Sequence, residues 1–173
     1  MKSVIDLAKS ETAGFRVLYN VNNVPGNINN SVPIPAGIKY VHVYVRAVPP
    51  ALTSGLVGMR VNNDSVSTYR YTYFLAVSTE AFNNSSYVGA MMFETGAASS
   101  VAGSVANFEI FGNITPLGLR KFWAQGSFGS TSAYAVTWGR VFQWPDSSTE
   151  ITSLDFFQYS GTLTSYDLCV IGR

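Results

Sequence analysis

The residues of this sequence that could do acid–base or nucleophilic chemistry are few. The chain has one histidine, His42, and one cysteine, Cys169. A hydrolase triad would have to use His42, and the sequence has no Gly-x-Ser-x-Gly segment to present a serine nucleophile. A zinc site needs several His or Cys ligands, which one subunit cannot supply. We therefore interpret His42 as a surface or cross-strand residue, with an ion held by three copies on a trimer axis as the minor alternative.

The carboxylates offer a second kind of chemistry. The ten Asp and Glu residues are spread along the chain, whereas glycoside hydrolysis needs two that converge. Most stand beside turn formers, as in residues 62–65 (Asn-Asn-Asp-Ser) and 145–148 (Pro-Asp-Ser-Ser). Asp and Asn in such segments commonly cap turns through local hydrogen bonds, which is the interpretation we favour. Residues 62–65 lack the acidic spacing and closing Glu of an EF-hand loop, so calcium is the minor alternative there.

The composition points away from several function classes. Only 12% of residues are charged and 14% are aromatic, so the charged share is about half that of an ordinary soluble domain. The Lys and Arg residues are scattered, and no basic cluster is present for nucleic acid. The sequence contains neither a glycine-rich phosphate-binding pattern nor an apolar stretch of about 18 residues. We expect no cofactor, no nucleic acid and no membrane partner, and synthesis in the cytosol.

Low charge has a second consequence, for the surface. A chain with 24 aromatic residues among 173 and few ions builds its surface from neutral polar groups, and we expect other subunits to cover part of it. Trp123, Trp138 and Trp144 are the candidate ligand or interface aromatics. An exposed ring could stack on a sugar, but a role in the sandwich core and at a subunit interface is the favoured interpretation. Cys169, within Leu-Cys-Val-Ile, is expected to be a small buried hydrophobe.

The secondary-structure signal is alternation with a period of two residues. Over residues 39–48 the odd positions from 41 to 47 hold Val, Val, Val and Ala, and the even positions from 40 hold Tyr, His, Tyr and Arg. Over residues 67–77 the tyrosines at 69, 71 and 73 share one face. Such alternation is typical of strands with two unlike faces, and many short strands predict an antiparallel sandwich or barrel. The predicted strands are 15–21, 39–48, 56–61, 67–77, 87–94, 105–112, 120–128, 134–144, 151–159 and 166–171.

The remaining segments fix the predicted domain organisation. Residues 22–35 and 96–104 are predicted loops, because they are rich in Asn, Pro, Gly, Ala and Ser. Residues 1–14 are predicted to form an N-terminal arm, with at most two helical turns that are ordered only when packed. No linker divides the rest, so residues 15–173 are predicted to form a single β-sandwich domain.

Two stretches resemble a pattern of virion structural proteins of tailed bacteriophages. In that family an Ile-Pro segment and a basic-aromatic strand start precede an arginine-containing strand that ends in Asn-Gly-Asp, followed by an aromatic strand. Here the counterparts are Ile34-Pro35, residues 39–48, residues 58–65 (Gly-Met-Arg-Val-Asn-Asn-Asp-Ser) and residues 69–71 (Tyr-Arg-Tyr). Asn63 stands where the family has glycine.

The second stretch is the C-terminus. Residues 151–154, Ser160-Gly161 and residues 168–173 (Leu-Cys-Val-Ile-Gly-Arg) resemble a closing hairpin of that family, with Ile171 in place of its usual Tyr. Trp138-Gly139 and Trp144 are placed like the aromatic and glycine residues before the hairpin. The resemblance covers roughly residues 34–173 and implies a jelly-roll-like β-sandwich on a phage particle, without catalytic residues to transfer.

These observations together favour a non-enzymatic phage virion protein. We expect a capsid decoration or auxiliary protein that docks on the particle lattice, for instance on the major capsid protein, as a homo-oligomer with a trimer favoured by analogy. The alternative is a tail or fibre module that binds a host-surface glycan, which predicts two or more exposed aromatics on one face. A hydrolase with two converging carboxylates is the third class.

Overall fold

The computed structural model describes residues 14–50, 55–76, 80–96, 105–115, 120–129, 135–146 and 148–173. The predicted arm lies outside these residues except for Gly14, and the predicted loop 96–104 lies outside them except for Gly96. Among the described residues no helix has the length and apolar character needed to cross a bilayer.

The described residues form an all-β structure, as the alternation predicts. Two antiparallel sheets pack face to face, one of eight strands and one of four. The strands are β1 (Arg16–Pro25), β2 (Asn29–Pro33), β3 (Tyr40–Val48), β4 (Gly55–Val61), β5 (Thr68–Ala76), β6 (Glu80–Val88), β7 (Met91–Gly96), β8 (Ala106–Asn113), β9 (Arg120–Gly129), β10 (Ala135–Trp144), β11 (Ser153–Ser160) and β12 (Ser165–Gly172).

The strand order is that of an extended jelly roll. The large sheet runs β1-β12-β3-β8-β9-β10-β5-β6 and the small sheet runs β2-β11-β4-β7. Without β5, β6, β9 and β10, the first of the remaining eight strands pairs with the last, the second with the seventh, and so on inward. That nesting is the jelly-roll wrap. The four additional strands widen the large sheet beyond the edge of the small one.

Four details differ from the sequence prediction, and the first is that the pattern predicts only the last two residues of β6 (Glu80–Val88). Within the predicted loop 22–35, residues 29–33 form β2, an edge strand in which only Val32 is buried, so its apolar signal is weak. The predicted strand 87–94 is interrupted, because Gly89 has a φ of 81° and turns the chain between β6 and β7. The C-terminal residues do not form a hairpin: β11 pairs with β2 and β4, and β12 pairs with β1 and β3. Gly161, with a φ of 73°, lies where the chain passes from one sheet to the other.

The core lies between the sheets. In β3 the Val and Ala residues at positions 41 to 47 are buried, and the polar face is half-exposed or exposed. Tyr69 and Tyr71 are buried while Arg70 is exposed, as their alternation predicts. Tyr69 also donates its hydroxyl to the Asp64 carbonyl at 3.1 Å, and its burial raises its pKa to about 12.

A cluster of four rings joins the two sheets. Phe93 of β7 lies 5.2 Å from Phe108, 6.2 Å from Trp138 and 5.3 Å from Phe142, measured between ring centroids. The last three rings belong to strands β8 and β10 of the large sheet. Offset and edge-on ring pairs stabilise a core by about 0.5–1.5 kcal/mol each beyond the area they bury, so Phe93 anchors the edge of the small sheet.

Arg140 of β10 binds the same edge strand, β7, through hydrogen bonds from its charged guanidinium. Its guanidinium donates to the Met92 carbonyl and to the Glu94 carboxylate, both on β7. It lies 5.5 Å from the centroids of the Tyr71 and Trp138 rings, and the side chain is 3% exposed. An edge strand presents backbone carbonyls that must find donors when buried. A planar cation between two rings meets that need at this position.

Gly126 of β9 makes room for the ring cluster. A Cβ at this position would lie 2.4 Å from Cζ2 of Trp138 and 2.7 Å from Cβ of Phe108. Both contacts are well inside van der Waals separation, so the absence of a side chain is what lets the indole lie close to the backbone of β9.

The Gly126 contact predicts the effect of one added methyl group. Gly126→Ala is expected to lower the free energy of unfolding by about 1–3 kcal/mol, because Trp138 must shift in a packed core. Ser127→Ala, one residue away, is the control and is expected to change it by less than about 0.5 kcal/mol. Urea denaturation followed by circular dichroism measures both, and equal effects would contradict the packing argument.

Arg140 can be tested against a matched surface arginine. Arg140→Met is expected to cost about 3 kcal/mol, because it leaves the Glu94 carboxylate and the Met92 carbonyl without their donor. Arg46→Met removes an exposed pair, Arg46 to Asp167 at 3.6 Å, and is expected to cost less than about 1 kcal/mol. The same urea titration separates them; a loss at position 46 as large as that at 140 would rule out a special role for Arg140.

Candidate docking surface on the outer face of the large sheet

The most distinctive surface feature is a line of apolar and aromatic side chains across the outer face of the large sheet. Strand register places one residue from each of six adjacent strands in this line. The strands position them because successive side chains alternate between faces. We call this line the outer-face row. It consists of Val17, Ile171, His42, Phe111, Trp123 and Val141, in the order β1, β12, β3, β8, β9 and β10.

The aromatic members of the row stack on one another. The His42 and Phe111 rings are 4.0 Å apart with an interplanar angle of 26°, and the Phe111 and Trp123 rings are 6.1 Å apart. Tyr44 lies 4.0 Å from His42 on the other side. Side chains paired across strands hold each other in fixed rotamers. The row is therefore a preformed surface rather than a set of loose rings.

Both ends of the row are open to solvent, while Ile171 within it is only 8% exposed and His42 and Phe111 are half-buried. Trp123 is 48% exposed, and Val141 and Val17 are also among the exposed large hydrophobic residues. Tyr40 lies on the same outer face, two residues along β3 from His42, and is exposed as well. Scattered exposed hydrophobics are normal on a protein surface, but neighbouring ones such as Trp123 and Val141, which are paired across β9 and β10, are typical of interaction sites.

Polar side chains border the row on both sides. Lys121 and Gln125 lie two residues from Trp123 along β9, in opposite directions, and both are exposed. Glu109 of β8 lies opposite Gln125, and its carboxylate is 3.6 Å from Nε2 of His42. An apolar centre with a polar rim is the usual anatomy of a binding surface.

His42 is held as a neutral ring. Its Nε2 atom is out of contact with solvent and has no hydrogen-bond partner among the described residues. Burial lowers the pKa of His42 below its ordinary 6.5, and the Glu109 carboxylate, which acts in the opposite direction, does not reverse the shift. A buried Nε2 does not reach a substrate in solution, so the imidazole serves here as a stacking partner.

The structure separates the three tryptophans named from the sequence. Trp138 is 1% exposed in the ring cluster, and Trp144 is 2% exposed. The Trp144 indole donates to the Asp64 carboxylate at 2.9 Å, and the Arg120 guanidinium lies 5.1 Å from its ring centroid. Only Trp123 of the three presents its ring to solvent. Phe111 and Val141 were not recognised from the sequence as residues of the outer face. The available signal was that each is an apolar residue directly beside an inward-facing residue of its own strand.

The acidic turn segments hold structure together. Asn62 and Asn63 both have a φ of 53°, in the left-handed region that Asn tolerates better than most residues. Asp64 accepts from the backbone of Val66 and Ser67 at 3.1 and 2.9 Å. Burial raises the pKa of Asp64, but the hydrogen bonds from Ser67 and Trp144 outweigh it and lower that pKa to about 2. A carboxyl group that is ionised so strongly cannot act as a general acid at neutral pH.

Two further acids are engaged in the same way. Asp155 accepts from the backbone of Asn63 at 2.7 Å and from the Ser153 hydroxyl at 2.8 Å. Asp146 accepts from the backbone of Ser148 and Thr149 at 2.8 and 3.0 Å. The Asp146 contacts are the local turn hydrogen bonds that its Ser-rich segment predicts, whereas Asp155 holds the turn at 62–65 from strand β11, far away in sequence. Within the described ranges, no group of three or more His, Cys, Asp and Glu side chains could hold a metal ion.

Cys169 is buried, as its apolar neighbours predict. Burial raises the pKa of its thiol, so the reactive thiolate form is scarce at neutral pH. The single cysteine and the single histidine of the sequence therefore both take part in packing.

The fold and this surface define a jelly-roll β-sandwich with an aromatic outer face. No family model, curated protein or solved structure matches the chain.

The histidine makes a pH prediction with a definite sign. The unfolded chain binds a proton at about pH 6.5, while the folded chain binds it at a lower pH because burial lowers the pKa of His42. The free energy of unfolding is therefore expected to fall as the pH is lowered from 7 through 6.5 toward 5. Replacing His42 by phenylalanine, which keeps the stack on Phe111, is expected to flatten this slope.

Urea titrations at pH 7, 6 and 5 test this expectation. His42 is the only histidine of the sequence, and carboxylates titrate mainly below this window. A variant His42→Phe with the same slope as wild type would contradict a buried neutral imidazole.

Proposed function

We propose that the protein is a non-enzymatic structural component of a tailed-bacteriophage virion. It is made in the host cytoplasm and docks on the particle as an oligomer, acting as a capsid decoration or auxiliary protein on the major capsid protein. The proposal begins from the resemblance over residues 34–173 and from the low charge of the chain.

The observation that carries the proposal is the outer-face row. Six adjacent strands place the row on the outer side of a sheet whose inner side already forms the core, and Val17, Trp123 and Val141 of the row are exposed there. A soluble monomer usually places polar residues there. Covering the row with another protein would remove apolar area from water at about 25 cal/mol per Å².

The low charge of the chain supports docking in a second way. A docking face with few ions loses little free energy to desolvation when it is covered. Repetition on a particle lattice adds avidity, so modest contacts of each copy suffice for stable attachment. The proposed arm, residues 1–14, would add a second point of attachment.

A non-enzymatic role is supported by how the reactive side chains are used. The His42 ring is stacked with its Nε2 buried, and Asp64 and Asp155 accept hydrogen bonds that hold turns. Each of these groups has a structural role that explains its position without a reaction.

The second candidate is a tail or fibre module that binds a host glycan. Its specific support is that Trp123 and Tyr40 are both exposed on one sheet face, as that class predicts. A sugar ring could stack on Trp123 while Gln125 and Lys121, exposed on the same strand, offer hydrogen bonds.

Particle fractionation tests the proposal. Heads and tails purified separately from a lysate are compared by quantitative mass spectrometry, and the protein is expected in heads. Trp123→Ala is expected to lower its copy number at least about threefold, because the row loses its largest contact. Tyr159→Ala is the control, since Tyr159 is 53% exposed but lies on β11 of the small sheet.

The other outcomes are equally informative. Presence in tails alone would favour the tail or fibre candidate, and a shift of tryptophan fluorescence with host polysaccharide would support it further. Absence from both fractions would refute the virion proposal.

A further inference from the structure

The outer-face row and its borders have a charge pattern that is complementary to itself. On β9, Lys121 lies on one side of Trp123, and Gln125 lies on the other. Glu109 is the cross-strand neighbour of Gln125 on β8. A positive and a negative side chain therefore flank the row on opposite sides, one strand apart.

This pattern has a simple symmetry property. Consider a two-fold axis that runs parallel to the row, between two copies that face each other. Rotation about this axis places each strand opposite the same strand of the other copy, and it exchanges the two borders of the row. Lys121 of one copy then faces Gln125 of the second copy. Glu109 of the second copy lies on the neighbouring strand, about 4.8 Å from the strand of Gln125. A lysine side chain easily spans that distance, and the symmetry forms the contact twice.

We propose that two copies of this chain pair face to face through the outer-face row, with Trp123 at the centre and Lys121 against Glu109 of the second copy at both borders. This inference rests on the proposed role of the row as a docking surface and names the occupant of the row in the free protein, where no particle protein covers it. Isologous contacts of this kind are the commonest way in which identical subunits associate. The charge pattern favours this two-fold pair over the trimer suggested by analogy.

The size of the surface sets the expected strength. The row crosses six strands, roughly 24 Å between its ends, and with one residue of border on each side the face covers roughly 600 Å² per copy. That is the lower end of specific interfaces, where association is reversible. The pair should therefore form at micromolar rather than nanomolar concentration, which leaves the row accessible for assembly.

Sedimentation equilibrium of the full chain from about 1 to 300 µM tests the pairing. Wild type is expected to fit a monomer–dimer equilibrium. Lys121→Glu and Glu109→Lys are each expected to weaken it roughly tenfold or more, because each places like charges together twice. The double swap restores opposite charges and is expected to return the dissociation constant to within about threefold of wild type.

Two further variants keep the test specific. Lys39→Glu changes the net charge by the same amount as Lys121→Glu, but Lys39 precedes β3 and lies outside the row and its borders, so its dimer should persist. Trp123→Ala is expected to dissociate the dimer while circular dichroism shows an unchanged fold.

Several results would overturn the inference. One is a wild-type protein that stays monomeric at 300 µM. Another is an oligomer that persists in Trp123→Ala and in both single charge swaps. A third is a double swap whose dimer dissociates as readily as that of the weaker single variant. A monomer whose Trp123 fluorescence responds to host polysaccharide would assign the row to a glycan instead. A dimer found for a protein absent from particles would leave this inference standing and refute only the virion proposal.

Discussion

The structure depends on how the narrow sheet is fastened to the wide one. Strand β7 ends the small sheet at a point where the large sheet continues through β9, β10, β5 and β6. An exposed strand edge at that point would leave carbonyls unpaired and the core open to water. At this edge the Phe93 ring packs against Phe108 of the large sheet, and Arg140 donates hydrogen bonds to the β7 backbone and to Glu94. Both contacts need the wide sheet to extend past the edge.

The same width creates the outer face. Each additional strand adds inward side chains to the core and outward ones to the surface, because the pleat alternates. At the level of the row both kinds are apolar in β9 and β10: Phe122 and Phe142 point inward, while Trp123 and Val141 point outward. Sheet positions that are apolar on both faces are typical of a layer that is covered on both sides. One cover is the small sheet, and the row is where the second cover would lie.

Much of the fold follows from local sequence pattern. The alternation in β3 and β5 identified both strands and their buried faces, and the Asn-rich segment at 62–65 identified a turn. Local pattern failed where the signal was not local. Strand β2 holds mostly Asn, Ser and Pro and owes its place to pairing with β11, and Gly89 needed its φ to mark the turn between β6 and β7. The row could not be foreseen, because it requires the register of strands as distant in sequence as Val17 and Val141. For the same reason the sequence could not tell that Trp123 is exposed while Trp138 and Trp144 are buried.

The central claim is that the fold leaves the Trp123 face uncovered and that another copy of the chain covers it. Acrylamide quenching of tryptophan fluorescence at rising protein concentration tests this most directly. One of the three tryptophans is expected to be quenched in dilute protein and to become protected as the protein associates. Quenching that involves none or all three tryptophans in dilute protein, or that stays constant while the protein associates, would contradict it.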